Sequence, residues 1–170
     1  EEGKEIVYYN DMFDCIEKIN YYNDNEAERE GIAWNGYQKV LNNFTQKQVV
    51  DKMMQEDRFS QWLGIKVLEV REGMSRIQMT IRSEMVNGFG IVHGGVTFAL
   101  ADSAFAFACN NRNDLSVALD TSINFTKQVL VGDQLTATAT ELHNGKSTGL
   151  YQITIHNQHQ QLVAQFKGLC

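Results

Sequence analysis

The run from Gly94 to Cys109 (GGVTFALADSAFAFAC) carries a single charged side chain, Asp102. It is long enough for about four helical turns and apolar nearly all round, which predicts a helix buried on every side. Alanines at 99, 101, 104, 106 and 108 keep it thin, so other backbone can approach closely. On both sides of this run the hydrophobic period is two. Gly64 to Glu72 and Ser75 to Arg82 alternate and are joined by a turn at Glu72-Gly73. After the polar stretch Asn110 to Asp114 come four more alternating segments: Ser116 to Val129, Gln134 to His143, Ser147 to Asn157 and Gln161 to Gly168. Val131-Gly132-Asp133 and Asn144-Gly145 mark the turns, the second being a strong hairpin signal. Short antiparallel connections and one apolar helix predict an α+β fold, with a single antiparallel sheet curled around the helix. The outer face of that sheet must be wet or covered by a partner.

Upstream the period is helical. Thr45 to Phe59 reads as one helix, with Thr45 as its N-cap and Val49, Val50, Met53 and Met54 as its apolar stripe. Residues 1–45 read as one or two amphipathic helices. Tyr9, Met12, Phe13, Ile16 and Ile19 form one stripe, and Ala33, Tyr37, Val40, Leu41 and Phe44 another, with the polar stretch Asn23 to Gly31 as connection. The expected organisation is a helical extension over 1–45 and a main domain over 46–170. The extension is open to several readings: a helical pair packed on the main domain, a lid, a partner-docking arm or a fused foreign segment.

Charge sharpens this division. The net charge of −6 falls on residues 1–45, which hold ten acidic and four basic residues; the remaining eleven of each sign balance. Nucleic-acid binding wants a basic face and is not expected. No apolar run reaches the 18–20 or so residues of a membrane span, and no signal-peptide pattern is visible. The three cysteines (Cys15, Cys109 and Cys170) are odd in number and far apart, which fits a reducing, cytoplasmic setting. His156 and His159 lack Cys or carboxylate company and are read as surface residues, so no metal is expected. There is no Gly-rich nucleotide loop and no G-x-S-x-G elbow, which disfavours a serine esterase. Proline is absent, where a chain of this length usually carries about eight.

The segments NGFGIVHGGVTFALADSAFAFACN, SVALDTSINFTKQVLVGDQLTATA and HNGKSTGLYQITI together resemble a hotdog-fold acyl-CoA thioesterase of the phenylacetic-acid-degradation type. The resemblance spans about residues 46–168. It departs at Gln128, where the family commonly has proline, and at an early C-terminus. It implies hydrolysis of acyl-CoA thioesters such as phenylacetyl-CoA, with no cofactor beyond the coenzyme A of the substrate. It further implies that Asp102 is the catalytic carboxylate and that the Gly94 N–H holds the thioester carbonyl. His93 would support that oxyanion hole, and Asn87 would position the water or the carbonyl.

Physical chemistry bears on the same residues. Gly94 and Gly95 open a helix, whose first N–H groups lack internal partners and stabilise developing negative charge. Asp102 lies eight residues on, roughly 12 Å along the axis. One thioester carbon cannot sit near both within a single helix. Asp102 should therefore meet the Gly94 amide of a second subunit, in a homodimer or a dimer of dimers with composite sites. Asp102 would act as general base on water or as nucleophile; the first is preferred. Asn87 reads equally well as a turn residue, and His93 as a loop-orienting histidine. Thr121 and Ser122 are candidates for the acyl end. Lys127, Lys146 and Arg112 are candidates for the CoA phosphates. Two other functions stay open: a hotdog hydratase or dehydratase, and a non-catalytic acyl-CoA-binding domain.

Overall fold

A computed structural model describes residues 1–43, 45–112 and 114–170. Phe44 and Asn113, read above as part of a helical stripe and of a loop, lie outside the described residues, as does the side chain of Leu41. The chain divides into two compact units, Glu1–Thr45 and Gln46–Cys170.

The first unit holds helices α1 (Met12–Asp24) and α2 (Glu26–Asn43). Asp11 caps α1, its Oδ1 accepting from Phe13 N at 2.8 Å and Asp14 N at 3.0 Å. Asn25 alone separates the helices, its N–H donating to Tyr21 O at 3.0 Å. The expected connection from Asn23 to Gly31 is therefore mostly helix. Its polarity comes from Glu26 and Glu28, which sit in the first turn of α2 at the positive end of the helix dipole. The α1 stripe residues Met12, Phe13, Ile16 and Ile19 are exposed, while Ile32 of α2 is buried.

The second unit opens with α3 (Gln46–Glu56) and α4 (Arg58–Leu63), where one helix was expected to reach Phe59. Asp57 makes the break. Its side chain accepts from Ser60 N at 2.9 Å and from Ser60 Oγ at 2.6 Å, which starts a new helix. Strands β1 (Lys66–Arg71) and β2 (Met74–Thr80) follow, and the Glu72-Gly73 turn between them needs the φ of +65° that Gly73 adopts. A 3-10 turn (Ser83–Met85) and a loop lead to helix α5 (Gly94–Cys109). Then come β3 (Asp120–Phe125), β4 (Gln134–Asn144), β5 (Gly149–His156) and β6 (Leu162–Leu169).

These strands form one antiparallel sheet of six in the order β1-β2-β4-β5-β6-β3. The strand expected over Ser116–Val129 is shorter: only Asp120–Phe125 form β3, at the sheet edge and paired with β6. The hairpin after β4 also differs from expectation. Asn144 pairs with Gly149, and Gly145 N donates to Thr148 O at 2.8 Å, so the turn is the four residues 145–148. Gly145 does not take the positive φ that a two-residue Asn-Gly turn would use.

The inner face of the sheet packs on α5. Ile77, Met79, Leu135, Ala137, Ala139, Ile153, Ile155 and Phe166 are all buried. The alternate positions Thr136, Thr138, Thr140, Thr154 and Lys167 make a polar outer face. Close approach of helix and sheet is built in at Gly168, where an added Cβ would lie 2.8 Å from the Phe105 ring. Phe105 also meets Tyr151 at 5.5 Å and Phe166 at 6.1 Å between ring centroids. Phe105→Ala is expected to cost about 3–5 kcal/mol through the cavity it leaves, read as a large drop in Tm by circular dichroism.

The helix is not buried on every side, as its composition predicted. Ala101, Ala104, Phe105 and Ala108 are fully covered, but Gly95, Phe98, Ala99, Asp102 and Ala106 are only partly covered or exposed. These positions fall at helical spacing along one stripe. The sheet supplies a layer on one side of α5, and among the described residues of this unit that stripe stays partly open.

Candidate active site

His93 starts the site by capping α5. Its N–H donates to Met85 O at 2.9 Å, which ties the loop to the 3-10 turn. Its Nδ1 accepts from Gly95 N at 2.9 Å. Its C=O accepts from Val96 N at 2.9 Å. The first turn therefore has its Gly95 and Val96 amides occupied, while no hydrogen bond among the described residues uses the Gly94 N–H. That donor stands at the positive end of a helix of 16 residues. An oxyanion placed there would meet an N–H held in position before the reaction begins.

Gly94 lies on the wall of a cleft of ≈ 410 Å³, with Asn87, Thr97, Phe125 and Lys127 also lining it. The structure thus brings together Gly94, Asn87 and Lys127 from the sequence candidates. Asn87 closes its own turn, its Oδ1 accepting from Phe89 N at 2.9 Å and its N–H donating to Ile91 O at 2.8 Å. The pattern had not singled out Phe125. Its ring carbon Cζ would lie 3.2 Å from a Cβ on Gly94, so it closes the side of the cleft. The available signal was alternation along β3, which puts Phe125 on the helix side with Ile123 and Thr121. By the same alternation Ser122 lies on the opposite face with Asp120 and Asn124, away from α5, so it does not join Thr121 as expected.

Asp102 sits elsewhere on the same helix. Eight residues of continuous α-helix separate it from Gly94, about 12 Å of rise. Its side chain is half-buried on the uncovered stripe, and no hydrogen bond or ion pair among the described residues engages it. Burial pushes its carboxyl above the usual aspartate range. A carboxylate held unpaired in a partly dry setting is a competent proton acceptor.

Arg112 and Lys146 fall in a different place. They line a polar cavity of ≈ 470 Å³ beyond the other end of α5, together with Cys109, Tyr151 and Cys170. Arg112 is already engaged. Its Nε donates to Glu72 at 3.0 Å, and its Nη1 and Nη2 donate to Glu141 at 2.5 and 3.2 Å. Tyr151 Oη also donates to Glu141, at 2.8 Å. The guanidinium holds the Glu141 carboxyl well below its usual range, the signature of a structural ion pair. Arg112, a candidate for the CoA phosphates, is thus held in an ion-pair network. It clasps the β1–β2 turn to β4. Among the described residues no three His, Cys, Asp or Glu side chains gather as a metal would require. No helix there is long and apolar enough to cross a membrane.

An antiparallel sheet wrapped on one apolar helix is the hotdog arrangement. The chain belongs to the thioesterase superfamily, whose family model matches residues 89–164. A glycosyl transferase-like family model matches residues 1–55. Over 116 residues the chain is 44% identical to the acyl-coenzyme A thioesterase PaaI of Escherichia coli, covering 68% of this chain and 83% of that one. The solved structure of the E. coli PaaI protein from the phenylacetic acid degradation operon superposes with a TM-score of 0.72 at 42% identity, covering 73% of this chain and 90% of that one. A Streptococcus mutans protein solved with acetyl CoA bound superposes with a TM-score of 0.60 at 26% identity, covering 62% and 85%.

Proposed function

We propose that the chain hydrolyses acyl-CoA thioesters, with phenylacetyl-CoA or a related aryl or medium-chain acyl-CoA as substrate. Asp102 is the general base, and the Gly94 N–H of the facing protomer is the oxyanion donor. The observation that carries this reading is the unpaired, half-buried Asp102 carboxylate on the uncovered stripe of α5. A second copy laid on that stripe would bring Asp102 toward the Gly94 amide that the chain itself leaves unused. A homodimer, or a tetramer built from two dimers, then carries equivalent composite sites.

In this arrangement the thioester carbonyl takes the Gly94 N–H, and Asp102 takes a proton from water as the water attacks the carbonyl carbon. Charge grows on the carbonyl oxygen at the helix N-terminus and leaves with the CoA thiolate. His93 keeps the first turn in place through its bond to Gly95, and Asn87 shapes the cleft. The relatives named for acyl-CoA hydrolysis and the neighbour with acetyl CoA bound support the substrate class.

The test is release of free CoA from phenylacetyl-CoA and from a panel of straight-chain acyl-CoAs, followed with a thiol reagent. Turnover on at least one aryl or medium-chain ester is expected, and no turnover on any would overturn the reading. The pH profile adds an independent check. The base works ionised, so kcat/KM should fall on the acid side as Asp102 protonates. Because burial raises that pKa, the limb is expected above the ordinary aspartate value of about 3.9. A limb at or below that value would exclude Asp102 as the base.

A further inference from the structure

Two thiols meet at the end of α5 remote from Gly94, and the hydrolytic reading uses neither. Cys109 is the last residue of α5 and is buried; Cys170 follows β6 and is half-buried. Phe105, one turn before Cys109, packs on Gly168, two residues before Cys170, and both thiols line one cavity at this end of the helix. Both are held from several sides. Asn110 Nδ2 donates to Cys109 Sγ at 3.2 Å, and Cys109 Sγ reaches Ala106 O at 3.6 Å. Cys170 pairs its backbone with Gly149 in both directions, at 2.9 and 2.7 Å, and its Sγ reaches Gly149 O at 3.6 Å. Gly149 makes room for this: an added Cβ would lie 3.2 Å from Cys170 Sγ. Both cysteines lie on the wall of the polar cavity of ≈ 470 Å³, which gives a small polar oxidant a route to them. Cys15 belongs to the other compact unit.

We propose that Cys109 and Cys170 are a redox-active pair, closed to an intramolecular disulfide by a hydroperoxide. The Cys170 thiolate attacks one oxygen of hydrogen peroxide. An S–O bond forms, the O–O bond breaks, and with one proton the other oxygen leaves as water, giving the Cys170 sulfenic acid. The Cys109 sulfur then attacks the Cys170 sulfur. The S–O bond breaks, the S–S bond forms, and the hydroxyl leaves as a second water with the Cys109 proton. Two electrons pass from the two thiols to the peroxide. The order of steps follows from burial. Cys109 has its thiol pushed up to about 12 by burial and by the neighbouring Cys170, so it stays protonated and acts as the resolving group. The Tyr151 hydroxyl and, two turns back on α5, Asp102 neighbour the pair, and Arg112, Asp114 and Lys146 line the same cavity. The bridge would tie the end of the helix that carries Asp102 to the end of β6.

The test uses the full chain under mild hydrogen peroxide, then alkylation of remaining thiols after denaturation and peptide mass mapping. One labelled thiol, on Cys15, is expected where the reduced protein has three, together with a peptide joining Cys109 to Cys170 and lighter by two hydrogens. Dithiothreitol should restore all three. In Cys109→Ser the reaction should stop at the Cys170 sulfenic acid, trapped by dimedone at a level well above wild type. The proposal is overturned if all three thiols stay free, if the bridge joins two different chains or Cys15, or if dimedone labels Cys170 equally in wild type and Cys109→Ser. The readout is covalent, so it is independent of whether the protein hydrolyses acyl-CoA.

Discussion

Asp102→Asn is expected to lower kcat on an acyl-CoA by about 10²–10⁴-fold while leaving the fold intact. The amide has nearly the shape of the carboxylate but cannot accept the proton of the attacking water. No ion pair or hydrogen bond among the described residues engages the Asp102 carboxylate, so none is lost with its charge. Removing an unpaired, half-buried carboxylate should hold or raise Tm, because its desolvation penalty disappears. The two readouts therefore move apart, with turnover collapsing and stability unharmed. A rate equal to wild type would end the case for Asp102 as base. A parallel loss of Tm would instead assign it a structural task.

The sheet and the apolar helix were legible because both rest on period and polarity, which tertiary context rarely overturns. Alternation in Gln134 to His143 marked β4 within one residue, since Leu135, Ala137 and Ala139 must all face α5. Boundaries failed where a single side chain decided them. Asp57 splits one expected helix by capping Ser60, and Glu26 and Glu28 turn an expected connection into a first helical turn. Composition could not tell a helix buried all round from one with a bare stripe, because alanine is at home in both. Arg112 looked like a free cation because its partners, Glu72 in the β1–β2 turn and Glu141 on β4, lie far from it in sequence. Phe125 went unnoticed for the same reason. Its contact with Gly94 exists only after an edge strand and a helix N-terminus come together.

Gly94→Ala is the second change with a large expected effect, about 10²–10³-fold in kcat, as for loss of one oxyanion donor. The N–H survives the substitution, but a methyl group then stands between it and the thioester. The added carbon would lie 3.2 Å from the Phe125 ring, a tight contact that a half-exposed ring on an edge strand can relax. Gly94 has no positive φ, and alanine favours helix over glycine by up to about 1 kcal/mol, so Tm should change little. The informative experiment mixes this variant with Asp102→Asn under conditions that exchange subunits. Each mixed dimer then holds one site with both changes and one with neither. Random exchange makes half the dimers mixed, and half of the sites in those are intact, so activity should return to about a quarter of wild type. If Gly94 and Asp102 served a site within one chain, mixing two inactive proteins would restore nothing.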